Sequence, residues 1–205
     1  MLSDLLAVAS ILLSIFALIV SVVNLWLTFY HKGKIRMTQP TVVYLGPDGA
    51  GENQVFLRTL LFSTSKKGNV IENMFAKVKR GENTQVFNIW VYKEKELVRG
   101  SGLFVGENGV ALNHHFLLPK DGTQFEFIPG EYFVEIFVKY IGRSRILGLF
   151  KSKFTLSDEA SKKIKTKDYG AYFDWEPEAN SYNCHIYKRK TIADEIEIIN
   201  KLKTF

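Results

Sequence analysis

The chain has 205 residues, 46% hydrophobic, 23% charged and 14% aromatic, with a formal net charge of +6. That balance excludes a disordered chain and a polytopic transporter, and a single cysteine, Cys184, excludes an internal disulfide framework. The 16 Phe and 9 Tyr lean toward β-structure.

Residues 5–30 run without a single charge. A spanning helix needs about 20 apolar residues at about 1.5 Å each, so this run is long enough to cross a bilayer. Trp26, Phe29 and Tyr30 gather where the run meets charge, as an interfacial aromatic belt does. A cleaved signal peptide has a basic start and an apolar stretch of about 7 to 15 residues. Here the start carries Asp4 and the run is longer, so a retained anchor is expected.

Only the terminal amine and Asp4 precede the helix, whereas His31, Lys32, Lys34 and Arg36 follow it. By the positive-inside rule the C-terminal side is cytoplasmic, which predicts a single-pass protein of the cell membrane. Trp26, Tyr30, Lys32, Lys34 and Arg36 are the candidate membrane-interface residues, each basic one attracting anionic lipid by roughly 1 kcal/mol. Residues 1–37 form this anchor and its basic flank. The remainder holds 24 basic and 20 acidic residues, a net charge of +4, too even for a general nucleic-acid binder.

From Pro40 onward the pattern changes to short apolar runs broken by turn chemistry. Strands are predicted over residues 41–45, 54–64, 70–79, 85–92, 96–105, 110–116, 124–127, 132–140 and 145–154. The breakers include Pro47-Asp48-Gly49, Lys67-Gly68-Asn69, Asn108-Gly109 and Pro129-Gly130. Short strands at this spacing, with no long amphipathic helix between them, predict an antiparallel β-sandwich over residues 38–155. In residues 86–91 the alternation suggests Phe87, Ile89 and Val91 on one face. Residues 132–138 are apolar on both faces, as a covered central strand would be.

The stretch from Phe127 through Pro129, Gly130 and Tyr132 to Val134 resembles the corner of an immunoglobulin-like or fibronectin-like sandwich. There a turn leads into a late strand whose early Tyr bonds back to the backbone. The resemblance implies that topology for the domain, without the Cys and Trp pattern of antibody domains.

Residues 156–205 read as a C-terminal extension. Ser157 is placed to cap a short helix with acids in its first turn and lysines in its last. Residues 169–175 and 181–188 read as aromatic packing and one more strand. From Thr191, a terminal amphipathic helix is expected, with Ile192, Ile196, Ile199 and Leu202 on one stripe as a candidate partner-binding surface.

Residues 100–115 carry a Gly-Ser-Gly strand, a Gly turn and an Asn-His-His end. They resemble the segment that delivers the catalytic histidine of trypsin-like and HtrA-type serine proteases, and would make His115 the base. No Gly-Asp/Asn-Ser-Gly-Gly nucleophile loop exists to form the oxyanion hole, so the protease reading is rejected and the segment is read as a hairpin. Adjacent strand residues point to opposite faces, so His114 and His115 cannot share an ion, and no metal or cofactor site is expected.

These features predict a membrane-anchored, non-enzymatic protein-interaction module, an accessory subunit or sensor with its sandwich in the cytoplasm. Its expected partners are the lipid bilayer and another protein, with a homo-oligomer as an option. The alternative is a ligand-controlled effector that binds a small molecule and oligomerises through Ser10, Ser14 and Ser21 on the anchor.

Overall fold

In the computed structural model, the described residues are 2–31, 33–92, 98–100 and 102–189. The uncharged run forms α1, Leu2–Phe29, long and apolar enough to cross a membrane and buried nowhere against the rest of the chain. Its hydroxyls are satisfied locally: Ser10 donates to the Ala7 carbonyl, Ser14 to Ser10 and Ser21 to Ala17, each at 2.8 Å.

The rest is mainly β, in two antiparallel sheets around one core. An eight-stranded sheet comprises β1 (Ile35–Met37), β2 (Val42–Pro47), β3 (Asn53–Ser63), β6 (Ile89–Tyr92), β7 (Val98–Arg99), β9 (Val110–Leu117), β12 (Tyr169–Glu176) and β13 (Ser181–Lys188). Its order is β13-β12-β2-β3-β9-β6-β7, with β1 also on β3. A five-stranded sheet holds β4 (Asn69–Arg80), β5 (Asn83–Phe87), β8 (Leu103–Val105), β10 (Gly130–Tyr140) and β11 (Ile146–Leu156). Its order is β11-β10-β4-β5, with β8 on β4. Val43, Leu57 and Phe116 from the first sheet meet Met74, Ile136 and Val138 from the second in a fully buried core.

The expected strand over residues 85–92 is instead two strands in different sheets. Phe87 and Trp90 are both buried, and residues three apart cannot share one face of a period-two strand. The chain turns the corner at Asn88, and Ile89 and Val91 end half-buried on the outer side. Residues 98–105 divide in the same way, and the turn at Gly106 and Gly109 joins the two sheets rather than closing a hairpin. Residues 124–127 form no strand. They plug the end of the core, Phe125 and Phe127 meeting Phe87 at ring distances of 5.5 and 6.4 Å.

The corner before β10 is latched by the Tyr132 hydroxyl, which donates to the Ile128 carbonyl. Arg80 adds two bonds to the Pro129 carbonyl, at 3.0 and 2.8 Å. Strand β10 is central, between β4 and β11. On its outer side Glu135 is 8% exposed and accepts from Lys79 and Lys151 at 2.9 and 3.0 Å.

Helix α2, Asp158–Lys165, starts where expected, with the Ser157 hydroxyl accepting from the Ala160 N–H at 3.2 Å. The segment after it is a hairpin, and β12 pairs with β2, so the chain's later part completes the eight-stranded sheet. The expected terminal helix from Thr191 lies outside the described residues.

Candidate functional site

Strand alternation sends Val43, Leu57, His114 and Phe173 into the core and turns Tyr44, Phe56, His115 and Tyr172 outward. Pairing then aligns the outward set. His185 on β13 stands opposite Tyr172, Tyr172 opposite Tyr44, Tyr44 opposite Phe56, and Phe56 opposite His115. The outer face of the eight-stranded sheet therefore carries an aromatic and imidazole row across five strands.

The rings are in contact along most of that row. Tyr172 stacks on His185 at 5.7 Å, Tyr44 meets Tyr172 at 4.8 Å, and Phe56 meets His115 at 4.8 Å. Tyr187, 63% exposed, stands edge-on to both Tyr172 and His185. Such cross-strand aromatic pairs stiffen a sheet, and a row of them offers flat, polarisable area with polar tips.

Three of the polar tips have partners: Tyr44, His115 and His185. The Tyr44 hydroxyl donates to the Pro47 carbonyl at 2.7 Å, and burial foremost, then Tyr172, pushes its pKa well above the ordinary tyrosine range. The His115 Nδ1 lies 3.1 Å from the Gln54 Oε1, an amide oxygen that can only accept, so Nδ1 donates and Nε2 keeps a lone pair. Burial lowers the His115 pKa, with Asp48 opposing, so the ring favours its neutral form. At the row's end, His185 Nδ1 lies 3.2 Å from the Asp174 carboxylate.

His114, beside His115, has the opposite environment. It is fully buried, and its Nδ1 accepts from the Trp90 indole N–H at 3.1 Å. Burial first, then the neighbouring His115, lowers its pKa to about 4. The protease resemblance finds no support here, since His115 bonds to Gln54 rather than to a carboxylate. Ser101 lies outside the described residues. No group of three or more His, Cys, Asp or Glu that could hold a metal is present among the described residues.

Of the expected interface residues, Trp26 and Tyr30 lie at the end of α1, and the Trp26 ring meets His31 at 5.4 Å. Two side groups of the domain reach this end: the Ser65 hydroxyl donates to the His31 carbonyl at 2.6 Å, and Lys67 Nζ to the Phe29 carbonyl at 3.2 Å. Lys34 and Arg36 line a cavity together with Arg143 and Arg145, two residues that sequence reasoning did not single out. Lys32 and the stripe Ile192, Ile196, Ile199 and Leu202 lie outside the described residues.

No family model matches the chain, and no curated protein matches it. Among solved structures, a family 123 glycoside hydrolase from Clostridium perfringens, from work on glycolipid glycan hydrolysis, is similar at 10% identity and a TM-score of 0.32. The match covers 62% of this chain and only 27% of that one. The expectation of a non-enzymatic chain is not kept: the similar structure is a hydrolase's, and that exclusion of catalysis is withdrawn. At such a score the likeness carries neither substrate nor mechanism to this chain.

Proposed function

We propose that the chain is a membrane-anchored interaction module that holds its β-sandwich at the cytoplasmic side of a cell membrane and engages a protein partner there. The observation that carries this reading is the row from His185, where the exposed Tyr187 stands beside it, through Tyr172, Tyr44 and Phe56 to His115. Tyrosine and other aromatic residues dominate the energetic centres of protein interfaces, because they bury large area at little rotamer cost. Confinement by α1 raises the local concentration of such a surface for partners in the same membrane. The orientation rests on Lys34 and Arg36 after the helix against Asp4 before it, and the latched corner at Tyr132 supports an immunoglobulin-like reading of the sandwich.

Site-specific photocrosslinking of the full-length protein in its membrane tests the surface. A crosslinker at Asn183, on the outer side of β13, should trap a discrete adduct that His185→Ala combined with Tyr187→Ala abolishes. The same crosslinker at Phe133, on the outer side of the other sheet, should trap none. Equal adducts from both faces, or adducts indifferent to the double substitution, would overturn the reading.

A further inference from the structure

Where the edge strand β11 passes β1, the two sheets part and leave a cavity of about 430 Å³. Its floor is apolar, from Ile35, Met37, Leu147 and Leu149, with the Tyr140 ring at one side. Its rim carries four cations, Lys34 and Arg36 from the segment after α1 and Arg143 and Arg145 from the turn between β10 and β11. None of its lining residues is acidic, and none of the four cations has a carboxylate partner among the described residues. Elsewhere on the same sheet the lysines are spent on glutamates, as with Lys79 and Lys151 on Glu135 and Lys139 on Glu72. Four unpaired cations around one concavity repel each other, a cost that a bound anion removes.

We propose that this cavity binds a phosphate-bearing anion, and that the headgroup of an anionic membrane lipid supplies it. The inference stands independently of the aromatic row. Two features point to the lipid. First, the cavity adjoins the end of α1: the Ile35 N–H donates to the Tyr140 hydroxyl at 3.1 Å and the Lys34 N–H to Thr64 at 2.9 Å, one residue from the Ser65 contact with His31. Second, the turn that carries the arginines is flanked by Ile141 and Ile146, 59% and 49% exposed, and Val70 and Phe104 continue this apolar rim along the same end. Exposed apolar groups beside arginines suit the boundary between headgroups and acyl chains, where the guanidinium fork takes a phosphate through two parallel N–H bonds. Arg143 is already oriented, its guanidinium 5.2 Å over the Tyr140 ring.

The test uses the full-length protein in neutral detergent, titrated with dioctanoyl phosphatidylglycerol, dioctanoyl phosphatidylcholine or inorganic pyrophosphate and read by native mass spectrometry. Phosphatidylglycerol should bind at least tenfold tighter than phosphatidylcholine. Arg143→Gln with Arg145→Gln should weaken it about 30-fold, at roughly tenfold per 1.4 kcal/mol and 1 kcal/mol per cation. Arg36→Gln, on the opposite wall, should weaken it about fivefold, and Lys162→Gln, an equal charge change on α2, should leave it unchanged. Tight pyrophosphate binding lost in the same arginine variants would support the phosphate site and assign it a soluble ligand. Equal binding of the two lipids, or an equal effect of the Lys162 change, would overturn the proposal.

Discussion

The indole N–H of Trp90 donates to Nδ1 of His114 across two neighbouring strands of the eight-stranded sheet, at 3.1 Å. The imidazole must therefore hold its own proton on Nε2 and remain neutral to keep the bond. Protonating Nδ1 would set two donors against each other inside the core.

Acid sensitivity follows from that pair. The His114 pKa is lowered to about 4 in the fold, against about 6.5 in an unfolded chain. Between those values the unfolded state binds the extra proton, so stability falls as pH drops through this window. From pH 7 to pH 5 the loss from this residue should be about 2 kcal/mol. His114→Gln, which keeps an acceptor for Trp90, should remove most of that loss in urea unfolding measured at the two pH values. An unchanged pH dependence would show that another group carries it.

The corner before β10 should have measurable worth. Tyr132→Phe deletes the hydroxyl that bonds to the Ile128 carbonyl while leaving the buried ring in place. The expected cost is about 1 to 2 kcal/mol, read as a lower urea midpoint with an unchanged slope. Arg80→Lys, which cannot make both bonds to the Pro129 carbonyl, should add to it less than additively, since both hold one turn.

Gly170, inside strand β12, is demanded by packing rather than by a positive φ. A Cβ at this position would lie 2.0 Å from the Tyr44 ring, inside any permissible contact. Gly170→Ala should cost about 1 to 3 kcal/mol and push Tyr44 out of the row. The Asn183 crosslink should weaken with it, whereas Gly81→Ala, whose Cβ would meet nothing but has a φ of +57°, should affect stability alone.

Topology can be read with one cysteine. In a Cys184→Ser background, Glu178→Cys places a thiol in the exposed turn between β12 and β13. Labelling by a membrane-impermeant maleimide only after lysis would agree with a cytoplasmic domain. Labelling in intact cells would reverse the charge argument and direct the partner search outside the cell.

What the sequence revealed was local chemistry. The cap at Ser157 was legible because its acceptor and its donor at Ala160 are three residues apart. The long apolar helix was legible because nothing but length and absence of charge defines it. The break at Asn88 left a signal that alternation alone obscured: two large aromatics, Phe87 and Trp90, at a spacing no straight strand can bury together. The row from His185 to His115 was not legible, since each residue looks like an ordinary alternation partner until the register of five strands is known. Arg143 and Arg145 escaped notice for the same reason, being more than a hundred positions from the Lys34 and Arg36 that they join.

At about 1.5 Å per residue α1 is about 42 Å long, well beyond the roughly 30 Å of hydrocarbon in a typical bilayer. Such an excess is relieved by leaning. Lys67 and Ser65 bond the carbonyls of Phe29 and His31 and so tie the domain to the end of the helix. In a helix that spans as proposed, bilayer thickness would then set the angle at which the sandwich stands over the membrane, and a thinner or thicker patch would turn a different part of its surface toward the lipid.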